Sequence, residues 1–214
     1  MKKDTNKIAE IYSGKVARKY EYSMPPFFLR WKRKAFFESA LKRGDQVLVF
    51  CCGTGLDFPY ILEKIGSDGK IVAVDFSAEM LKQATAKIEK NNWKNIELIQ
   101  ADVTSTEMNF KGKFDVGVCT LGLSIIPDFM QGYNNLFNSV KQGGEIIIGD
   151  MQLASGWLKI FNPLTIHMAS KFGGSHPGHK NSLKILANMK NNLKQIRKRV
   201  FFLGAYFYCI GIKS

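Results

Sequence analysis

The stretch "QVLVFCCGTGLDF", Gln46 to Phe58, decides the fold. An apolar run from Val47 to Phe50 passes into two adjacent cysteines, then Gly53-Thr54-Gly55, and a helical pattern starts two residues later. A run with no polar alternation reads as a strand covered on both faces, the condition of a parallel sheet. Glycine tolerates positive φ and lets backbone lie close against a ligand, so the turn is a candidate binding loop. A dinucleotide fingerprint would carry a third glycine opening the helix; here that place is not glycine, which weakens a pyrophosphate-binding reading. Cys51 and Cys52, as neighbours on a strand through 46–51, would point to opposite faces and so would neither share a metal nor bond to each other.

The same punctuation repeats downstream. "KIVAVD" (70–75), "IELIQA" (96–101), "FDVGVCT" (114–120) and "EIIIGD" (145–150) read as further buried strands. Between them "DFPYILEKIG" (57–66), "SAEMLKQATAKIEKNN" (77–92) and "DFMQGYNNLFNSVKQGG" (128–144) read as helices, with Ser77 an N-cap, Gly66 a stop and Gly143-Gly144 the end of the third. Strand and helix in alternation give a doubly wound α/β sheet. After a stretch expected to be irregular (151–180) and a helix near 181–191, "QIRKRVFFL" and "AYFYCIGIK" form a C-terminal antiparallel hairpin around Gly204 at the sheet edge. Residues 1–45 are expected to form N-terminal cap helices and 46–214 the main domain, with 151–180 inserted in it as a lid.

Composition narrows the class. The chain has 214 residues and a net charge of +13. No run of about 18 uncharged apolar residues occurs and the first residues lack the apolar segment of a signal peptide, so a cytoplasmic location is expected. The four cysteines show no metal-ligand spacing, and no metal is expected. Residues 1–45 carry +7, 46–154 carry −4 and 155–214 carry +10 with no acidic residue at all. Basic flanks around an acidic middle suit contact with something anionic, although a solvated Lys-rich surface gives the same count. Within "PPFFLRWKRKAFF" (25–37), Phe27, Phe28, Trp31, Phe36 and Phe37 interleave with Arg30, Lys32, Arg33 and Lys34, as in a segment lying at an anionic membrane on the inner face. A cap helix with its aromatics packed on the sheet has the same pattern.

Two aspartates fall at strand ends on one rim. Asp75 ends the second strand and could take a ribose diol, which both NAD and S-adenosylmethionine carry; Asp102 ends the third, where an adenine amino group would lie. Each could equally cap a helix or solvate a loop.

"VLVFCCGTGLDF", "IVAVDFSAEML", "IELIQADV" and "FDVGVCTLGLSIIPD", in this order and spacing, resemble the successive motifs of class I S-adenosylmethionine-dependent methyltransferases, over about residues 10–155. The resemblance implies a Rossmann-like, mostly parallel seven-stranded sheet. It also implies that Cys52, Gly53 and Gly55 line the methionine end of the cofactor. By the same resemblance Asp75 would hold the ribose, Phe76 and Met80 pack on the adenine, Asp102 and Val103 bind its edge, and Thr120 and Leu121 lie beneath the sulfonium. Tyr12 and Tyr20 match tyrosines that cover the cofactor in the ubiquinone/menaquinone-biosynthesis type. The sequence departs from the family where Val49 replaces an acidic residue and Cys51 a glycine; Asp57 is the candidate substitute for the lost acid.

Methyl transfer needs alignment of acceptor and methyl more than a protein nucleophile. The fourth-strand segment "TLGLSIIPD" and the tail also resemble bacterial small-molecule and lipid methyltransferases, including the phosphatidylethanolamine N-methyltransferase type. That implies a small-molecule or lipid acceptor, methylated at nitrogen, with Tyr20, Asp150 and His167 as candidate catalytic groups and nucleic acid not expected as a partner. His167, His176 and His179, beside Lys171 and Lys180, could also grip an anionic group in the lid. The rival readings are a basic membrane- or RNA-binding module on a degenerate methyltransferase core, and a nicotinamide-dependent oxidoreductase.

Overall fold

The computed structural model describes residues 10–12, 14–24, 26–105, 108, 110–170 and 176–214. Seven strands form one sheet in the order β3-β2-β1-β4-β5-β7-β6. β1 (Gln46–Phe50), β2 (Lys70–Asp75), β3 (Ile96–Gln100), β4 (Phe114–Thr120) and β5 (Val140–Met151) run parallel, and β7 (Tyr206–Lys213) pairs antiparallel with both β5 and β6 (Leu193–Phe201). The strand order reverses between β1 and β4, which opens a crevice at their carboxyl ends.

Alternation along β1 sorts its side chains into two layers. Leu48 and Phe50 face a core shared with α5 (Phe129–Ser139) and α7 (His176–Asn192) through Leu136, Ile185 and Met189. Val47 and Val49 face the other core, with Phe36 of α2 (Pro26–Glu38), Phe58 and Ile61 of α3 (Phe58–Ile65), and Leu81 and Ala84 of α4 (Ala78–Lys90). Ser77 caps α4 by accepting from the Met80 N–H, the role its sequence position predicts. A short α1 (Gly14–Ser23) precedes α2 and contacts α4 through the Glu21–Lys87 ion pair.

Three local expectations are corrected. β1 stops at Phe50, because Cys51 turns to φ +51. The helix of 128–144 ends at Ser139, and Val140-Lys141-Gln142-Gly143-Gly144 already belongs to β5. There a bulge shifts the register from Phe114↔Val140 to Val116↔Glu145, and Gly143 adopts φ +76. The Lys213 ammonium holds this junction by donating to the Phe137 and Val140 carbonyls, at 2.7 Å each. The stretch 151–180 is largely helical: a 3-10 segment (Gly156–Phe161) runs into α6 (Asn162–Ser170), and α7 begins at His176 rather than near 181. Asn162 opens α6 and bridges back to both backbone groups of Ala154.

The aromatic segment 25–37 packs inward. Phe28 lies 4.5 Å from the Tyr206 ring, Trp31 stacks on Phe201 at 5.4 Å and Phe36 is buried; Phe37 alone among them is exposed, with the Phe27 side chain outside the described residues. Of its basic residues, Arg30, Arg33 and Lys34 are exposed, whereas Lys32 turns into the protein. Among the described residues no helix is long and apolar enough to cross a membrane.

Candidate functional site

The crevice at the carboxyl ends of β1, β2 and β4 is a cavity of about 850 Å³ including open solvent at its mouth. Its floor is formed by Cys52, Gly53 and Thr54 of the turn that closes at Gly55. The Cys52 N–H donates to the Val74 carbonyl at 3.1 Å and the Gly55 N–H to the Cys52 carbonyl at 3.0 Å, which ties the loop to β2. Asp75 closes the other side of the loop: its Oδ2 accepts from the Gly53 N–H at 2.8 Å and its Oδ1 from the Ser77 N–H at 2.9 Å. Burial pushes this carboxyl above its ordinary value, against the pull of those backbone donors. Each carboxylate oxygen keeps a lone pair for a diol.

Asp102 sits at the end of β3 with Oδ1 accepting from the Thr104 N–H at 2.9 Å and the Thr104 hydroxyl at 2.7 Å, an Asx turn that fixes the rim. Met80 is buried, with its Cε 3.3 Å from where a Cβ on Gly53 would stand. Tyr12 and Tyr20 also line the cavity, edge to face with ring centroids 6.0 Å apart, and the Ser77 hydroxyl donates to the Tyr12 carbonyl. Burial raises both phenols far above neutrality, so neither is a base there.

At the far end Asp57 accepts from the Thr120 hydroxyl at 2.5 Å and pairs with Lys32 at 2.9 Å. Leu121 adopts φ +59 just past β4 and donates its N–H to the Gly149 carbonyl at 2.7 Å. Cys51 packs against Cys119. A hydrogen bond between the two and burial both push its thiol up, and all four cysteines are free thiols. A Cβ on Gly122 would lie 2.3 Å from the Cys51 Cβ, so the two loops meet where only glycine fits.

The structure thus brings Tyr12, Tyr20, Cys52, Gly53, Asp57, Asp75, Phe76, Met80, Asp102, Val103, Thr120 and Leu121 to one cavity. Gly55 does not line it; a Cβ there would meet the Phe58 ring at 2.4 Å, so this glycine serves the turn's packing onto α3. Asp150 is buried beside the cavity, accepting from the Ser124 N–H at 3.0 Å and hydroxyl at 2.7 Å, and from the Met151 N–H at 2.8 Å. His167 is exposed on α6 and His179 is buried in α7; neither lines the cavity, while the His176 side chain and Lys171 fall outside the described residues. Among the described residues no His, Cys, Asp and Glu side chains cluster as a metal site.

Lys32, Thr54, Ile125 and Ile126 line the cavity without having been singled out as site residues from the sequence. Ile125 ends a 3-10 turn after β4 and Ile126 follows it in extended backbone, and neither carries a signal beyond its place in "GLSIIPD". Sequence alone groups Lys32 with Arg30, Arg33 and Lys34 in a basic segment at an anionic membrane, because linear spacing does not show which of the four a buried aspartate will take.

Residues 1–155 match the model of the ubiE/COQ5 methyltransferase family. A demethylmenaquinone methyltransferase of Listeria welshimeri is 29% identical over 148 residues, 68% of this chain and 62% of that protein. The chain therefore spans less than two thirds of that relative's length. One of Bacillus cereus is 28% identical over 201 residues, 86% of this chain and 84% of that protein. A SAM-dependent methyltransferase of Aquifex aeolicus superposes with a TM-score of 0.69 over 94% of this chain and all of that one; at 18% identity the likeness is one of fold. With the family model covering most of its length, the chain belongs to the ubiE/COQ5 methyltransferase family.

Proposed function

We propose that the chain transfers a methyl group from S-adenosylmethionine to a small, largely apolar acceptor of the quinone class. The observation that carries this reading is Asp75, pinned by the Gly53 and Ser77 N–H groups and lining the cavity with lone pairs to spare. The residues present fit the cofactor. Asp75 would hold the ribose, Asp102 the adenine edge, Phe76, Met80 and Val103 the ring faces, and Cys52 and Gly53 the methionine end. Bound there, the cofactor supplies an electrophilic methyl on a sulfonium.

The chain's own residues orient and exclude water. Leu56, Leu121, Ile125 and Ile126 give the cavity an apolar side, and Tyr12 and Tyr20 stay neutral beside it. Such a wall suits a planar ring better than the charged ammonium of a nitrogen acceptor, and the names of the Listeria and Bacillus relatives point the same way. Alignment of an acceptor that brings its own nucleophilic electron pair is then the main catalytic contribution. Calorimetry with S-adenosylhomocysteine tests the reading: wild-type protein binds, and Asp75→Ala weakens binding at least tenfold through the lost ribose bonds. A wild-type protein that does not bind would rule the reading out. Release of S-adenosylhomocysteine with a short-chain demethylated quinone, compared with amine acceptors, assigns the acceptor.

A specific observation also favours peripheral contact with an anionic membrane, the route by which a lipid-soluble acceptor arrives. Trp157, Ile160 and Leu164 are 75%, 71% and 57% exposed. They follow β5 at the carboxyl end of the sheet, where Ala154 packs 3.1 Å from a Cβ placed on Gly204 of the hairpin turn. No acidic residue occurs from 155 to 214. Sedimentation with anionic liposomes is expected, sensitive to salt and lost in the Trp157→Ser/Ile160→Ser double variant. Equal binding to neutral vesicles would contradict it.

A further inference from the structure

The cavity contains a buried ion pair that the sheet and its cores do not use. Lys32 of α2 is 4% exposed and Asp57, at the start of α3, 6%. Lys32 Nζ lies 2.9 Å from Asp57 Oδ1, Thr120 Oγ1 donates to Oδ2, and all three side chains line the cavity. Desolvating two charges consumes most of what their attraction returns, so stability alone is a weak reason for such a pair. An ammonium has three donors, and Asp57 Oδ1, at ion-pair distance from Lys32, has no hydrogen-bond partner among the described residues. Thr120, having donated its proton to Asp57, keeps acceptor capacity. Thr54, 1% exposed, lines the same cavity, and its hydroxyl has no hydrogen-bond partner among the described residues. A buried polar atom facing a cavity with nothing to bond marks the place of a polar ligand group.

This polar corner lies where Thr54 of the Cys52–Gly55 turn and Thr120 at the end of β4 line the cavity with Lys32 and Asp57. Val49, where the family resemblance expects an acid, is 1% exposed within the apolar core and does not line the cavity. A ligand that fills the cavity with its sugar at Asp75 brings its amino-acid end to this corner, and that end carries one carboxylate and one ammonium. We propose that Lys32 and Asp57 are its clamp: Lys32 Nζ takes the ligand's carboxylate, and Asp57 with Thr120 takes its ammonium. The ligand's two charges are matched by the protein's own pair, held apart from water before binding. Because Lys32 rides on α2, the cap helix reads the ligand directly instead of only covering it. The inference rests on the methyltransferase reading.

Two nucleosides separate the possibilities. S-adenosylhomocysteine carries the amino-acid end and 5′-methylthioadenosine lacks it. By calorimetry Lys32→Met, which keeps the stem and removes the charge, is expected to lower the affinity for the first at least tenfold and leave the second within about twofold of wild type. Asp57→Asn should show the same selective loss, and Lys32→Arg should recover most of the preference; thermal melts verify that each variant is folded. Equal losses for both nucleosides, or no loss for either, would overturn the clamp while leaving the methyltransferase reading standing. Wild-type protein that binds neither nucleoside would overturn that reading and the clamp together.

Discussion

Cys51 carries the clearest lesson at the scale of the residue. Its φ of +51 places a non-glycine residue in the left-handed region, at a cost of roughly 1–2 kcal/mol, at the point where the family resemblance expects glycine. The cysteine is held there by contact with Cys119 and by the missing side chain of Gly122. The sequence flagged the position as unusual; that its backbone is left-handed follows only from how the β1 and β4 loops meet. Asp150 makes a second case. Burial raises its carboxyl to about 6, against the three hydrogen bonds from Ser124 and Met151 that favour the ion. A folded-state value above the unfolded one means the native protein binds more protons between about pH 4 and 6. The stabilisation is therefore full below pH 4 and lost as the pH rises through 6, a swing of up to about 3 kcal/mol. Urea melts are expected to show that fall in wild type and a flatter profile in Asp150→Asn; identical profiles would dismiss a buried, titrating Asp150.

At the scale of elements, strands announced themselves and junctions did not. β1, β2 and β4 are legible because both faces are covered, so apolar runs have no competing explanation; β3, expected to be buried, is an edge strand that is only partly covered, with Glu97 and Gln100 exposed. The glycines at 143 and 144 signalled a turn, yet the chain uses them in a bulge, since Lys213 on a distant strand satisfies the carbonyls that a helix end would leave open. The start of α7 was missed for a similar reason: its buried stripe of Ile185, Leu186 and Met189 lies in the second half, and only that half has helical periodicity in the sequence. Those side chains hold α7 on the sheet, and Asn181 ties it to the Ser124 carbonyl beside the cavity. Ile185→Ala should cost about 3 kcal/mol by chemical denaturation, the usual price for emptying a fully buried site. A loss below about 1 kcal/mol would show that α7 is held by its polar contacts instead. The edge strand β6 stays unpaired on its outer side and carries Lys194, Arg197, Lys198 and Arg199, with a bulge between Lys194 and Arg197, both of which discourage pairing with another chain.

For the whole molecule, the charge asymmetry read from the sequence divides between two uses. Of the basic flanks, Lys32 enters the cavity, whereas Arg197 keeps a half-exposed side chain and reaches from the surface to the buried Glu145, which also accepts from the Ala40 N–H. The rest stays at the surface, with the exposed Trp157, Ile160 and Leu164 in the same basic third of the chain. Linear charge counts expose such a bias without saying which lysines face in, because that depends on crossings between α2, α3 and the sheet. The site's rim was legible residue by residue, since every strand end in a doubly wound sheet arrives at the same crevice. Its apolar side was not, because Ile125 and Ile126 look like any other apolar pair until β4 ends beneath them.

The two tyrosines at the cavity belong to the N-terminal segment, not to the sheet. That segment is joined to α4 by the Tyr12 carbonyl on Ser77 and by Glu21 on Lys87. These bonds are part-buried and are joined by Ala17 and Tyr20 packed on Met80, a smaller unit than the parallel sheet and so one that opens more readily. A nucleoside bound as proposed would therefore leave at a rate set by this cap, and one changed contact on α4 would shift its residence time more than the equilibrium stability of the protein.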